Sequence, residues 1–149
     1  EIKIYDAGCG TSLVGVELKK FGYNEYDGAD LSQKLLDLVP KNLYQNLFKA
    51  DLNKTIETSD DAYDAVMCVG TFTFGHVKPN ALDEFIRITK NKGLICFTIN
   101  EGIHEEYGFD KKLEELESEN KWKKLEFFKS NYIASKDVNA WLGLYEVKK

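Results

Sequence analysis

The chain has 149 residues, of which 43% are hydrophobic and 30% are charged, which is the composition of one soluble globular domain with a buried core. The formal net charge of −5 disfavours a nucleic-acid substrate, because neutralising phosphates requires a basic face. No apolar run reaches the length of about 18 residues that a membrane span needs, and the first residues lack the regions of a signal peptide. We therefore expect an intracellular, cytoplasmic protein with no membrane partner.

Apolar runs alternate with amphipathic segments along the chain, which predicts strand and helix units in a doubly wound, mostly parallel α/β sheet. Leu13, Val14, Leu18 and Phe21 recur at helical spacing after the first apolar run. The continuous apolar run at residues 65–69 is typical of a strand that is covered on both faces. The predicted strands span residues 2–5, 25–29, 43–50, 65–69 and 94–99, and the predicted helices between them span residues 11–21, 32–39 and 79–92.

The last third of the chain differs in composition from the rest. A charged helix is predicted at residues 110–120, where Leu113 and Leu116 form a narrow apolar stripe and the charged side chains form a solvated face. Residues 125–133 and 140–147 are rich in aromatic and β-branched side chains. These two segments are predicted to form a closing antiparallel strand pair.

The cysteines and histidines do not form a metal-binding pattern. Cys9, Cys68 and Cys96 are widely spaced and lie in or beside apolar runs, so we expect reduced, buried thiols. His76 and His104 are the only histidines, and no CxxC spacing occurs. The sequence therefore predicts no structural zinc site.

A glycine-rich turn, Gly8-Cys9-Gly10, lies directly after the first predicted strand and directly before the first predicted helix. Such a turn brings backbone N–H groups and a helix N-terminus close to a ligand. Two nucleotide cofactors commonly bind there, a dinucleotide such as NAD and S-adenosylmethionine. The residues around the turn must decide between them.

Two neighbours of the turn favour S-adenosylmethionine, and a third residue suits either cofactor. The dinucleotide pattern GxGxxG is broken, because Leu13 occupies the position of its third glycine. Asp6 precedes the first glycine by two residues, where it would repel a pyrophosphate but attract the ammonium group of a methionine moiety, directly or through a water. Asp30, at the end of the second predicted strand, can accept both hydroxyls of a ribose and suits either cofactor.

The ends of the next two strands carry further candidates. The Asp51 side chain and the Leu52 amide could bind the donor and acceptor edge of an adenine, and Leu31 and Leu52 could sandwich the ring. Cys68-Val69-Gly70 ends the fourth strand, so its backbone would face the reactive end of the cofactor. Four strand ends are thus predicted to converge on one crevice. Taken singly, a glycine pair also fits a tight turn, and a strand-terminal aspartate also fits a helix cap.

Four segments together resemble the ordered motifs of the class I S-adenosylmethionine-dependent methyltransferases, and the resemblance covers nearly the whole chain. The resemblance implies a Rossmann-like, seven-stranded sheet of order 3-2-1-4-5-7-6 with the last strand antiparallel. It further implies that the first segment binds the methionine portion, Asp30 the ribose and Asp51-Leu52 the adenine. The four segments are Asp6-Ala7-Gly8-Cys9-Gly10-Thr11, Asp30-Leu31-Ser32, Ala50-Asp51-Leu52 and Tyr63-Asp64-Ala65-Val66. The predicted cofactor-binding residues are Asp6, Ala7, Gly8, Cys9, Gly10, Thr11, Leu13, Asp30, Leu31, Ser32, Asp51, Leu52, Cys68, Val69 and Gly70.

The chain departs from the family pattern at two places. Ser12 stands where the family often has a third glycine, although a small serine should still allow close backbone approach. The chain also begins almost at the first strand, whereas family members usually carry N-terminal helices that cover the cofactor. We expect residues 1–149 to form a single methyltransferase domain, either a core fragment without these helices or an unusually short member. Residues 69–77 and 87–96 more narrowly resemble methyltransferase-like proteins.

The expected activity is methyl transfer from S-adenosylmethionine to a small molecule or protein rather than to nucleic acid, with S-adenosylhomocysteine as product. The sulfonium cofactor carries the reactive group, so a catalytic base is optional. His76 is the candidate base, and its alternative is a plain surface residue. Phe72 and Phe74 either wall a substrate pocket or pack under the sheet edge. Two other functions remain open at this point: a non-catalytic cofactor-binding module and an NAD-dependent oxidoreductase.

Overall fold

Strands and helices alternate through the chain in a computed structural model that describes residues 1–10, 12–73, 77–133 and 138–149. Among the described helices, none combines the length and apolar character that crossing a bilayer requires. The strands are β1 (Lys3–Ala7), β2 (Glu25–Asp30), β3 (Leu47–Lys49), β4 (Tyr63–Phe72), β5 (Thr89–Asn100), β6 (Trp122–Ile133) and β7 (Val138–Val147). The helices are α1 (Leu13–Lys20), α2 (Gln33–Leu36), α3 (Ala81–Ile88) and α4 (Phe109–Ser118).

The strands form one seven-stranded sheet of order β3-β2-β1-β4-β5-β7-β6, which confirms the predicted order. The pairings among β1 to β5 are parallel, and β7 runs antiparallel to both β5 and β6, as predicted. Asp6 of β1 lies opposite Gly28 of β2 and Met67 of β4. Because parallel strands share a direction, the carboxyl ends of β1, β2, β3 and β4 reach the same edge of the sheet.

The larger core lies between the sheet and helices α3 and α4. The inward face of α3 follows from its sequence, where Leu82, Phe85 and Ile88 recur at helical spacing and are fully buried. Phe72, at the end of β4, joins this core, with its ring centroid 4.7 Å from that of Phe109. Of its two predicted roles, packing under the sheet edge is the one observed. Burying such a side chain stabilises the fold by about 1.5–3 kcal/mol.

Most predicted boundaries differ from the observed ones by a few residues, and local packing explains the clearest case. The third helix is predicted to extend to residue 92, just before Gly93, but α3 ends at Ile88 and β5 begins at Thr89. Gly93 lies inside β5, where a Cβ atom would come within 2.6 Å of the carbonyl oxygen of Asp64. Glycine is needed at this position because the backbone of β4 approaches closely, and not because a helix ends there. Helix α2 and strand β3 are also shorter than predicted, with turns occupying much of the segment between them.

Candidate functional site

The four strand ends that the sequence singled out lie together at one edge of the sheet. We call residues 6–10, 12–13, 30–32, 51–52 and 68–71 the carboxyl edge. Their proximity follows from the parallel register, in which Ala7 pairs with Ala29 and Asp30 pairs with Lys49. Phe72 of β4 pairs with Ile99 after a register shift that follows Cys68, so the end of β4 is irregular where it reaches this edge.

The glycine turn is fastened to the end of β2. The backbone N–H groups of Gly8 and Cys9 both donate to the Ala29 carbonyl, at 2.7 and 2.9 Å. The turn is predicted to bring backbone N–H groups close to a ligand, but those of Gly8 and Cys9 are already used within the fold. Ala7 is fully buried, and the Cys9 side chain packs into a second, smaller core with Leu18 and Tyr26, so both residues offer only backbone to the edge. The turn is therefore a rigid surface for close approach.

Glycine is required at both ends of the turn for conformational and steric reasons. Gly8 has φ +74° and Gly10 has φ +41°, in the region that disfavours side chains. A Cβ atom at Gly8 would collide with the side chain of Thr71, whose hydroxyl lies 3.3 Å from the Gly8 carbonyl oxygen. A Cβ atom at Gly10 would lie 4.0 Å from Asp30 Oδ1. The turn is thus close to the end of β4 on one side and to the Asp30 carboxylate on the other.

The residue that departs from the family pattern, Ser12, also has a positive φ of 65°. It is buried, and its backbone N–H donates to the Cys9 carbonyl at 2.7 Å immediately before α1. A left-handed conformation costs a non-glycine residue about 1–2 kcal/mol, which explains the preference for glycine here. Leu13, the next residue, opens α1 with its side chain 73% exposed beside the turn.

The end of β2 presents one carboxylate oxygen toward the glycine turn. Asp30 Oδ2 accepts the Ser32 backbone N–H at 3.0 Å, which leaves Oδ1 on the side of Gly10. The Ser32 hydroxyl accepts the Leu35 N–H at 3.2 Å and caps α2, so it is already engaged within the fold. Leu31 is 62% exposed and can contact a ligand.

The ends of β3 and β4 expose less side chain than expected. Asp51 Oδ1 accepts the Asn53 N–H at 2.9 Å, and Leu52 packs into the larger core with 4% exposure. Leu52 therefore presents mainly its backbone to the edge. Of the two leucines predicted to sandwich the adenine ring, Leu31 has an exposed side chain and Leu52 does not. Cys68 is fully buried, whereas Val69 is 36% exposed. The Gly70 N–H is already used within the fold, since it donates to Thr98 Oγ1 at 2.9 Å.

Asp6 is the most unusual group of the carboxyl edge. Its side chain is 1% exposed, and Oδ2 accepts the Tyr44 hydroxyl at 2.6 Å. Oδ1 is buried and makes no hydrogen bond among the described residues. The pKa of Asp6 is raised to about 6: burial, the largest cause, raises it, the Tyr44 hydrogen bond lowers it, and charge repulsion from Asp30 raises it. Asp6 is thus a buried acid with one unmet oxygen.

Tyr44 belongs to no recognised motif and was not among the predicted site residues. The related feature of the sequence is a pair of glycines, Gly15 and Gly28, that leave space for its ring. Thr11, Phe74 and His76 lie outside the described residues, so the roles predicted for them stay predictions.

The comparison with protein families identifies the fold and its cofactor class. Residues 5–97 match the family described as methyltransferase domain. The chain belongs to the class I S-adenosylmethionine-dependent methyltransferases. The family and the cofactor inferred from the sequence are thereby confirmed, and the NAD-dependent alternative is set aside because this family uses S-adenosylmethionine.

Individual relatives of this methyltransferase domain agree with the family match. It is 32% identical over 127 residues to human methyltransferase-like protein 27, an alignment that covers 82% of this chain and 51% of that protein. The chain therefore spans about half the length of this curated relative.

Solved structures share the fold at low sequence identity. A candidate S-adenosylmethionine-dependent methyltransferase from Listeria monocytogenes superposes with a TM-score of 0.78 at 11% identity, covering 99% of this chain and 92% of that chain. An S-adenosylmethionine-dependent methyltransferase from Mesorhizobium loti superposes with a TM-score of 0.73 at 13% identity, covering 97% and 90%.

Proposed function

We propose that this methyltransferase domain binds S-adenosylmethionine along the carboxyl edge, and that the whole protein transfers the methyl group to a small-molecule or protein acceptor. The observation that carries the proposal is the buried Asp6 carboxylate, whose Oδ1 has no hydrogen-bond partner among the described residues. A buried oxygen of this kind is costly unless a donor reaches it. The ammonium group of a methionine moiety carries the complementary positive charge and can donate a hydrogen bond to this oxygen. Asp6 itself lies two residues before the glycine turn.

Other groups of the carboxyl edge suit the remaining parts of the cofactor. We assign Asp30 to the ribose hydroxyls, because its Oδ1 lies on the side of Gly10 while Oδ2 is held by Ser32. We assign Leu31, which is exposed, to one face of the adenine. Asp51 and the backbone of Leu52 are assigned to the adenine edge.

The chain contributes position and shielding rather than reactive chemistry. The bound cofactor supplies an electrophilic methyl group on a sulfonium sulfur. The glycine turn, fastened by Ala29 and contacted by Thr71, fixes the backbone next to the proposed site. Cys68 closes the core beneath the end of β4 and leaves Val69 at the surface. A rigid binding surface of this kind accelerates methyl transfer by aligning donor and acceptor, and His76 is retained as an optional base.

The acceptor class rests on charge. A formal net charge of −5 gives no general attraction for a polyanion, so a small molecule or a protein is favoured over nucleic acid. We place the protein in the cytoplasm, because Cys9, Cys68 and Cys96 are free thiols and suit a reducing compartment.

Calorimetry tests the cofactor assignment directly. We expect the domain to bind S-adenosylmethionine and S-adenosylhomocysteine but not NAD. Asp30→Ala should weaken S-adenosylhomocysteine binding by roughly tenfold or more, because it removes the acceptor of the ribose hydroxyls. Asp37→Ala is the matched control, since it removes an exposed carboxylate at the end of α2 with the same change in charge. Full affinity of Asp30→Ala, with both variants folded, would refute the ribose assignment.

A methyl-release assay on the full-length protein separates the enzyme from a non-catalytic cofactor-binding module. Turnover of S-adenosylmethionine that depends on a cell extract as acceptor source supports the enzyme. A persistent null result, with cofactor binding intact, supports the module.

A further inference from the structure

We propose that Tyr44 is a positioning residue for the cofactor, whose hydroxyl fixes one oxygen of Asp6 so that the other is presented to the ammonium group of the bound ligand. The inference rests on the proposed cofactor site. Tyr44 lies between α2 and β3, outside the four motif segments, and its ring passes Gly28 of β2 to reach Asp6, 38 residues away in sequence. It does not touch the reacting atoms and acts only through Asp6.

The position of the Tyr44 ring is determined by glycines on two other elements. A Cβ atom at Gly15 of α1 would lie 2.6 Å from Tyr44 Cζ, and one at Gly28 of β2 would lie 2.9 Å from Cε1. The ring also makes an edge contact with Tyr26, with centroids 5.2 Å apart. Tyr44 is 7% exposed, so its hydroxyl has little freedom to leave Asp6. Helix α1, strand β2 and the loop that carries Tyr44 thus together fix the 2.6 Å hydrogen bond from the Tyr44 hydroxyl to Asp6 Oδ2.

A second buried pair shows what a purely structural version of this contact is like. Asp27, 2% exposed, accepts the Tyr63 hydroxyl on Oδ2 at 2.7 Å and the Asn46 side-chain amide on Oδ1 at 3.0 Å. Both of its oxygens are satisfied within the fold. Asp6 also accepts a tyrosine hydroxyl on Oδ2, but its Oδ1 has no hydrogen-bond partner among the described residues. The unmet oxygen of Asp6 points to a donor that the described part of the chain does not supply.

The charge state of Asp6 is set by groups from every element around it. Asp30 of β2 raises its pKa and Tyr44 lowers it, while burial has the largest effect. The other titratable neighbours are Cys9 in the turn, Cys68 in β4 and Tyr5 in β1. Burial raises the pKa of each of these three, that of Cys9 to about 12, so they stay neutral near pH 7. Protonation of Asp6 therefore dominates the pH response of this group near neutrality.

Tyr44→Phe tests the inference because it removes the hydroxyl and keeps the ring. Loss of the hydrogen bond should raise the pKa of Asp6 above about 6, so that the charged form needed for the ammonium is lost at a higher pH. We expect S-adenosylhomocysteine affinity, measured by calorimetry between pH 5.5 and 8, to fall with decreasing pH in the wild type. In Tyr44→Phe the fall should be centred at a higher pH, with affinity at pH 7 reduced by about threefold or more and largely recovered at pH 8.

Two further variants make the result specific. Tyr63→Phe is the matched control, since it removes the equivalent hydroxyl from Asp27 and should leave the pH midpoint unchanged. Asp6→Asn should bind weakly with no pH dependence over the same range. If Tyr44→Phe does not fold, the wild type is compared with Asp6→Asn alone. The inference is then overturned if the affinity of the wild type is as independent of pH as that of Asp6→Asn. A folded Tyr44→Phe with the wild-type midpoint also overturns it, whereas absence of S-adenosylhomocysteine binding by the wild type overturns the cofactor site itself.

Discussion

The two faces of the sheet each bury an aspartate against a tyrosine, and the two pairs are satisfied to different degrees. Asp27 accepts hydrogen bonds on both oxygens, from Tyr63 and Asn46. Asp6 accepts one from Tyr44, and its Oδ1 has no partner among the described residues. This difference is what we expect if Asp27 serves the stability of the fold and Asp6 binds a ligand, as proposed above.

The largest expected effect separates the two pairs by stability. Asp27→Ala should lower the free energy of unfolding by about 3 kcal/mol, because the buried Tyr63 hydroxyl loses its acceptor and a void remains. Asp6→Ala should lower it by only about 1 kcal/mol, since the loss of the Tyr44 bond is offset by removal of an unmet buried oxygen. Urea unfolding of the ligand-free variants measures both values. Equal losses would show that the two acids play the same structural part.

A smaller effect concerns pH. The pKa of Asp6 in the folded protein, about 6, lies above its ordinary value of 3.8, so the folded state binds more protons between these values. The contribution of Asp6 to stability is therefore fully present below about pH 4 and is lost as the pH rises through about 6. The loss should be on the order of 2 kcal/mol.

Urea unfolding of the ligand-free protein at pH 4 and pH 7 isolates that contribution when wild type is compared with Asp6→Asn. The other ionisable groups are present in both proteins, so we assign the difference between their pH dependences to Asp6 and its charge interaction with Asp30. Parallel stability curves for the two proteins would contradict a strained, half-paired Asp6.

Much of the fold and of the carboxyl edge was predictable because its signals are local. Asp6, the Gly8–Gly10 turn and Asp30 each end a parallel strand or follow one directly, and the parallel register brings such ends together. The end of the third helix was mispredicted because Gly93 serves a packing contact with Asp64, which spacing cannot distinguish from a helix stop.

The hydrogen bonds that hold the glycine turn and the Asp6 carboxylate in place were not predictable, because they join residues remote in sequence. The amides of Gly8 and Cys9 are used by Ala29, so the glycine turn keeps its shape by a contact with the next strand. Tyr44 is 38 residues from Asp6, and nothing in the sequence around either residue indicates the pairing. Only the packing of the Tyr44 ring against Gly15 and Gly28 shows why these two glycines are needed.

The central claim is that the half-paired Asp6 is the ammonium site of a cofactor-binding edge. Titration calorimetry of S-adenosylhomocysteine at pH 7.5 into wild type, Asp6→Asn and the exposed control Asp37→Asn tests it most directly. We predict equal binding by wild type and Asp37→Asn, and binding weaker by roughly thirtyfold for Asp6→Asn, the loss of one charge-assisted hydrogen bond of about 2 kcal/mol. Binding by a folded Asp6→Asn with the affinity of the wild type would contradict the claim.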